Sequence, residues 1–372
     1  MTPRASRRAA ILVAVSMALI GLINPVSAYP KGKTIHVTEG QSIQAAIMSA
    51  KGGDKIVVEK GTYHEQLTIT CDGISLVGHD ATIVPPESPV TNACTDLAGP
   101  IGSGVQAGIC VAGSDIVFNS TFDGEHHKVI SVGDYVKDVS VEGFSVQGFN
   151  GINIAVVGAQ DASIRHNTMG DGPQYGALTV GSKNSHINHN NVNLGAGLNS
   201  FHFIGICMDD ISTVTITHNE ISAYFIGLCV QTSGAILHNN NVHDCCIGAF
   251  VDPGVDGAKL HDNDFTNTPA ACTFGYGINI NGATKTSVKG NKISGIVGSE
   301  ASPGVGILVQ DDTTATPETT PTGDIASGNT VEQNTLEGND IDIQLTSTGK
   351  GNVFKKNECH DPSIPADICP IH

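Results

Sequence analysis

The stretch Thr215-Ile216-Thr217-His218-Asn219-Glu220-Ile221-Ser222 sets a histidine, an amide and a carboxylate side by side. Three such side chains in a row have the look of a site, but their surroundings argue for architecture. Val214 and Ile216 alternate with Thr215 and Thr217, as in a strand with one apolar face. The alternation breaks at His218-Asn219 and resumes with Ile221. A two-residue bend that turns Asn219 inward accounts for the change of phase.

The stretch is one copy of a repeat. The pattern aliphatic-x-x-Asn-x-apolar recurs at Asn167, Asn190, Asn219, Asn240, Asn263, Asn291, Asn334 and Asn357, at intervals of 23, 29, 21, 23, 28, 43 and 23 residues. Phe144 stands in the asparagine position one step earlier. A second motif, Gly-aliphatic-x-apolar, interleaves with the first, beginning at Gly108, Gly151, Gly176, Gly205, Gly227, Gly248, Gly277 and Gly306, and degenerating to DIDI from Asp340. One motif of each kind per coil is the signature of a β-solenoid, with the variable spacing absorbed in loops. Asparagines stacked on successive coils bond one another and the turn backbone, which satisfies amides that would otherwise be costly to bury. His166, His189 and His218 precede ladder asparagines, and His238 and His261 sit one position earlier in the next two coils. Imidazoles so stacked could bind a transition metal, but more often they are simply residues that tolerate the bend geometry.

Composition agrees: 44 glycines, no tryptophan and 15% charged residues suit short strands and tight turns. Arg4, Arg7 and Arg8 ahead of the apolar run Ala9–Ile23, with Val26-Ser27-Ala28 as cleavage site, predict a secretory signal over residues 1–28 and a mature domain over 29–372. The formal net charge of −17 grows more negative without those arginines, and excludes nucleic acid and anionic lipid as partners. No later stretch is long and apolar enough to span a membrane. Ten cysteines without a CxxC pair predict disulfides, with Cys359–Cys369 as the local pair. Asn119-Ser120-Thr121 is a glycosylation sequon. The Thr/Pro-rich segment of about residues 311–328 is a loop insertion.

These motifs resemble the right-handed parallel β-helix of the pectate lyase-like superfamily over roughly residues 33–369. The expected fold is all-β: a single-stranded solenoid of about ten coils and three parallel sheets. A capping helix over Ser42–Ala50 would lay Ile43, Ala46 and Ile47 across the open core end. The resemblance implies that substrate lies along the outside of the first sheet, built from the Gly motifs. There the second and fourth residues of each motif point inward and the third and fifth outward.

The fifth-position row reads Ala155, Val180, Asp209, Gln231, Asp252, Asn281, Gln310, Gln344. Five consecutive polar residues suit a sugar-binding strip. The third-position row adds Phe250, for stacking on a sugar ring, and Asn279. Asp209 and Asp252, two coils apart, would stand roughly 9–10 Å from each other at ~4.8 Å per coil, close to the carboxyl spacing of an inverting glycosidase. They are the expected acid/base pair, with Asp210 in reserve and Asp256 nearby. Carboxylates ending strands are also common turn caps. His202, with Phe201 and Phe203 in the loop before Asp209, is the non-carboxylate acid/base candidate, and Tyr276 and Phe274 would wall a groove.

The family motifs narrow the choice. Asp209-Asp210 resembles the Asp-Asp element of polygalacturonases, but their Asn-Thr-Asp, Gly-His-Gly and Arg-Ile-Lys elements are missing. The alginate epimerase signature is also missing; Tyr276-Gly277-Ile278 leads into Asn279. Uronate lyases of this fold use an Arg or Lys base, often with calcium, and the outward rows hold neither base. The repeats also resemble those of the non-catalytic accessory proteins of nitrous-oxide reductase maturation, which keeps copper handling among the readings. The sequence thus predicts a secreted, monomeric protein that hydrolyses an extracellular polysaccharide without a cofactor. The alternatives are a non-catalytic glycan-binding protein and a calcium-assisted uronate lyase or epimerase.

Overall fold

The computed structural model describes residues 32–122, 124–193, 195, 204–313 and 324–371. The predicted signal, His202 with its flanking phenylalanines, and most of the Thr/Pro-rich insertion lie outside them. The chain winds as a right-handed parallel β-helix. Its first sheet has ten strands, from Leu67–Ile69 to Ile341–Leu345, all parallel. The expected second and third sheets are continuous as one 21-stranded sheet, because Ser75–Val84 and Ser140–Gln147 run through the bend that interrupts later coils.

The bend has a specific backbone cause. The residue before each ladder asparagine adopts a positive φ: 54° at His166, 55° at His189, 56° at His218, and likewise at Asn239, Asp262, Gly290, Gln333 and Lys356. That left-handed step reverses the strand's phase and sends the asparagine into the core. Each ladder amide then bonds its neighbour. Asn219 Nδ2 donates to Asn240 Oδ1 at 3.0 Å and to the Ile187 carbonyl at 3.0 Å, while Asn219 N donates to the same Asn240 oxygen at 3.1 Å. The chain of amides runs unbroken from Asn167 to Asn357. His218 is thus a bend residue, and Glu220 faces outward, accepting from His243.

The motif glycine is set by close approach between coils. A Cβ on Gly227 would lie 2.4 Å from Val242 Cγ1 and 2.8 Å from the Gly248 carbonyl oxygen. The strand register corrects two of the motif assignments. Asn153, not Gly151, aligns with Gly176, and Asp342, not Asp340, aligns with Gly306. A shift of two residues keeps each side chain on its predicted face. It does place Val157 and Thr346, not Ala155 and Gln344, in the fifth-position row.

Both ends are closed. The helix Ile43–Ser49 buries Ile43, Ala46 and Ile47, and its N-cap Ser42 accepts from the Ala45 amide. At the other end Pro362 and Ile364 bond Asp342 and Leu345, stapled by Cys359–Cys369. Further disulfides join Cys94–Cys110, Cys207–Cys229 and Cys246–Cys272, leaving Cys71 and Cys245 as thiols. The base of the insertion is held by Asp311, which accepts from Ala326 N, Thr348 N and two hydroxyls.

One departure from the repeat shapes the outer face. Between Ala107–Ala112 and Ile152–Val157 the chain makes an antiparallel hairpin, Ser114–Phe118 with Val129–Asp134. Its Ile116, Phe118, Val129 and Val132 pack on the outward Ala112, Val157 and Val180 in a second apolar cluster, outside the solenoid. Leu97 and Ala98, held by Cys94–Cys110, join that cover.

Candidate active site on the first sheet

The inward set of the first sheet holds as expected: Ile206, Met208, Leu228, Val230, Ala249, Val251, Ile278, Ile280, Ile307 and Val309 are all core. The outward rows divide. Cys207 and Cys229 form a disulfide between neighbouring coils, and Asn279, only 2% exposed, lends its Oδ1 to Gln310 Nε2 at 3.3 Å. Phe250, Asn281 and Gln310 are half-buried, with Asn281 Nδ2 on Asp312 Oδ1 at 3.3 Å. Tyr276 is the first residue of its strand, where Phe274 and Phe225 complete an aromatic cluster.

Asp209 and Asp252 stand two coils apart in one row, as expected, but Asp209 is committed to the backbone. Asp209 is 1% exposed; its Oδ1 accepts from Ser212 N at 2.9 Å and its Oδ2 from Gly181 N at 3.0 Å. It closes the turn that leads out of its strand, the turn-cap role weighed against catalysis. Burial raises its carboxyl above the usual range, against those two amide bonds. Asp210 is exposed and pairs with Lys128 Nζ at 3.1 Å. Asp256 is likewise structural, bonded to Lys285 and Thr284.

Asp252 finds a different partner. The hairpin tip carries Glu125, His126, His127 and Lys128 onto the strip, and an oxygen of Glu125 lies within 4.8 Å of one of Asp252. Gln231 fixes the arrangement. Its Nε2 donates to Glu125 Oε2 at 2.8 Å, its Oε1 faces His126 Nε2 at 3.1 Å, and its side chain also bonds Asp252. Burial, then the charge of Glu125, pushes the Asp252 carboxyl well above the ordinary carboxylate range. A carboxyl of raised proton affinity, joined to a second carboxyl through one amide, can hold a proton and hand it on.

His127 anchors the tip. Its backbone N–H donates to the Leu97 carbonyl at 2.8 Å, and its ring nitrogens face the carbonyls of Gly99 and Asn119 at 3.1 and 3.0 Å. His126, fully buried, packs edge-on to the Tyr175 ring, centroids 6.2 Å apart. Sequence reasoning missed Glu125, His126 and Lys128 because they belong to no repeat. The signal was there, in four consecutive titratable residues, Glu125–Lys128, inside the long gap between two Gly motifs.

Glu125, Asp252 and the Cys229 sulfur form the one convergent group of metal-ligand types among the described residues. Cys229 is bonded to Cys207, so a cation there would meet two carboxylates and no thiolate. The stacked histidines do not converge. His166, His189 and His218 lie ring over ring, with centroids 5.0 and 4.8 Å apart, and His189 and His218 are parallel within 1°. Burial, and then its two neighbours, lowers the proton affinity of His189.

The family described as a right handed beta helix region matches residues 204–364, and that described as periplasmic copper-binding protein (NosD) matches residues 91–272. No curated protein sequence matches the chain. Among solved structures, DFA-IIIase from Arthrobacter chlorophenolicus A6 without its lid, in complex with GF2, is similar at 15% identity over 87% of this chain and 94% of that chain, TM-score 0.56. The A-module of the mannuronan C-5 epimerase AlgE4 of Azotobacter vinelandii is similar at 16% identity over 86% and 94%, TM-score 0.54. The family 28 exopolygalacturonase of Yersinia enterocolitica is similar at 12% over 88% and 79%, TM-score 0.52. At these identities the likeness is one of fold.

Proposed function

We propose that this right-handed parallel β-helix acts on polysaccharide along its first sheet, hydrolysing a glycosidic bond with Asp252 and Glu125. The similar structures that act on carbohydrate support the substrate class. Four disulfides and the periplasmic family match support an extracellular or periplasmic setting.

The observation that carries the reading is the high proton affinity of Asp252 beside a second carboxyl. Asp252 gives its proton to the glycosidic oxygen as the bond to the anomeric carbon breaks. With one oxygen of each within 4.8 Å of the other, the pair falls short of the ~6.5–9.5 Å that leaves room for water in an inverting enzyme, which favours the retaining arrangement. Glu125 therefore attacks the anomeric carbon. Water then displaces Glu125 and returns its proton to Asp252. Gln231 and His126 orient the pair, and Phe250, Asn281 and Gln310 line the strip beyond it.

A second reading gains from Lys128, a cation that the outward rows lacked. Beside Asp210 it would face the carboxylate of a uronate, as a lyase or epimerase requires. The test is turnover on a panel of neutral and acidic polysaccharides, including a polygalacturonate and a polymannuronate. New reducing ends with retained anomeric configuration, lost in Asp252→Asn, support hydrolysis. An unsaturated, ultraviolet-absorbing product, or C-5 inversion without cleavage, favours the second reading. Binding without any turnover would leave a glycan-binding protein.

A further inference from the structure

We infer that the strip is closed at the reacting pair, so that the protein works from the end of a chain and not within it. The inference rests on the reading of Asp252 and Glu125 as the reacting groups.

Outward side chains of successive first-sheet strands record where the face is covered. Cys110, Ala155, Val157, Leu178 and Val180 are all 0% exposed, under the hairpin and the Leu97–Ala98 segment. Cys207 and Asp209, at 0% and 1%, continue this dry stretch. On the next coils the fifth-position row opens: Gln231, Asp252, Asn281 and Gln310, together with Phe250, keep accessible surface, while Cys229, Asn279 and Leu308 between them stay buried. Glu125 and Asp252 thus sit where the cover ends, and the hairpin tip is both a wall and the source of one of the pair.

The tip is held from several directions. Lys128 pairs with Asp210, His127 is anchored to Leu97 and Gly99, and Glu125 and His126 both bond Gln231. Beyond the wall no chain can pass along the sheet. On the other side, three coil steps from Gln231 to Gln310 span roughly 14 Å at ~4.8 Å each, room for a few sugar rings. Substrate therefore enters with one terminus against Glu125–Lys128 and its length running toward Gln310, and short products leave from that terminus.

The experiment follows early products on the most reactive polysaccharide of the panel, together with hydrogen exchange of the free protein. The expected products are mono- or disaccharide from the first time point, with little loss of viscosity. The His127 amide should be strongly protected. In His127→Ala, exchange across residues 119–128 should rise about tenfold or more, and longer products should appear as the wall loosens. A ladder of intermediate oligosaccharides from the wild type overturns the closed end while leaving the proposed hydrolysis standing. If no polysaccharide is processed, the proposed function fails. The wall is then decided by exchange alone: a His127 amide exchanging like that of an unstructured loop overturns it, and protection sustains it.

Discussion

Changing Asp209 and Asp252 separately to Asn distinguishes a carboxylate that builds the coil from one that performs chemistry. In Asp209→Asn one oxygen still accepts a backbone amide. The other is replaced by an NH2 group facing an N–H, at Ser212 or at Gly181, which sit 2.9 and 3.0 Å from the native carboxylate. A buried N–H left without a partner costs about 1–3 kcal/mol. Relief from burying a charge offsets part of this, so a loss of about 1–2 kcal/mol is expected, with most of the turnover retained. In Asp252→Asn the new amide keeps a bond to Gln231 and removes the repulsion with Glu125, so stability should hold within about 0.5 kcal/mol or rise. Turnover should fall by about 10²–10⁴, the usual worth of a general acid. Urea unfolding midpoints at unchanged slope give the first quantity and initial rates on polysaccharide the second. A fully stable but inactive Asp209→Asn, or an active Asp252→Asn, would refute the assignment.

Stability should carry the mark of Asp252 as pH changes. Its folded proton affinity is raised, so between the ordinary carboxylate range and that raised value the folded state holds more protons than the unfolded. Stability therefore falls as pH rises through this window, and the difference between wild type and Asp252→Asn should show that slope; a pH-independent difference counts against the desolvated pair. In the ladder, Asn240→Ala leaves the Asn219 N–H and the Ile216 carbonyl unpaired, about 2–6 kcal/mol together, whereas exposed Asn241→Ala should cost no more than about 0.5 kcal/mol, both by denaturant midpoint. Replacing Cys359 and Cys369 together by Ser removes a cross-link over 10 residues, worth ~3 kcal/mol by loop closure. Hydrogen exchange should quicken at the Asp342 and Leu345 amides, which donate to Pro362 and Ile364, and unchanged exchange there would count against a stapling role.

What could be read from the sequence was whatever repeats. Asn219 and its counterparts gave the bend and the inward face, because each coil imposes the same steric demand on the same position; the helical cap was read separately, from the spacing of Ile43, Ala46 and Ile47. The two register slips, at Gly151 and Asp340, arose where another residue takes the glycine's place: Asn153 caps the carbonyls of Val146 and Gly170, and Asp342 caps the amides of His360 and Asp361. Asp252 and Gln231 were legible as outward residues for the same reason. For Asp209 the sequence left turn cap and acid both open, because the amides that decide between them, of Gly181 and Ser212, belong to the backbone and carry no side-chain signal. Glu125 was hidden more deeply. It lies 127 positions from Asp252 along the chain, in a hairpin whose reach depends on tertiary packing.

The asparagine ladder has a weakness of its own: it is translationally degenerate. Every rung offers the same donor and acceptor, so a coil docked one place out of frame would still find an asparagine to bond. Hydrogen bonding can thus dictate how coils stack without dictating which coil follows which. Frame must come from features that occur once. Cys207–Cys229 and Cys246–Cys272 tie particular neighbours, and the hairpin tip recognises one coil by its Gln231. The residues that break the repeat act as its index marks, and the proposed chemistry sits on one of them.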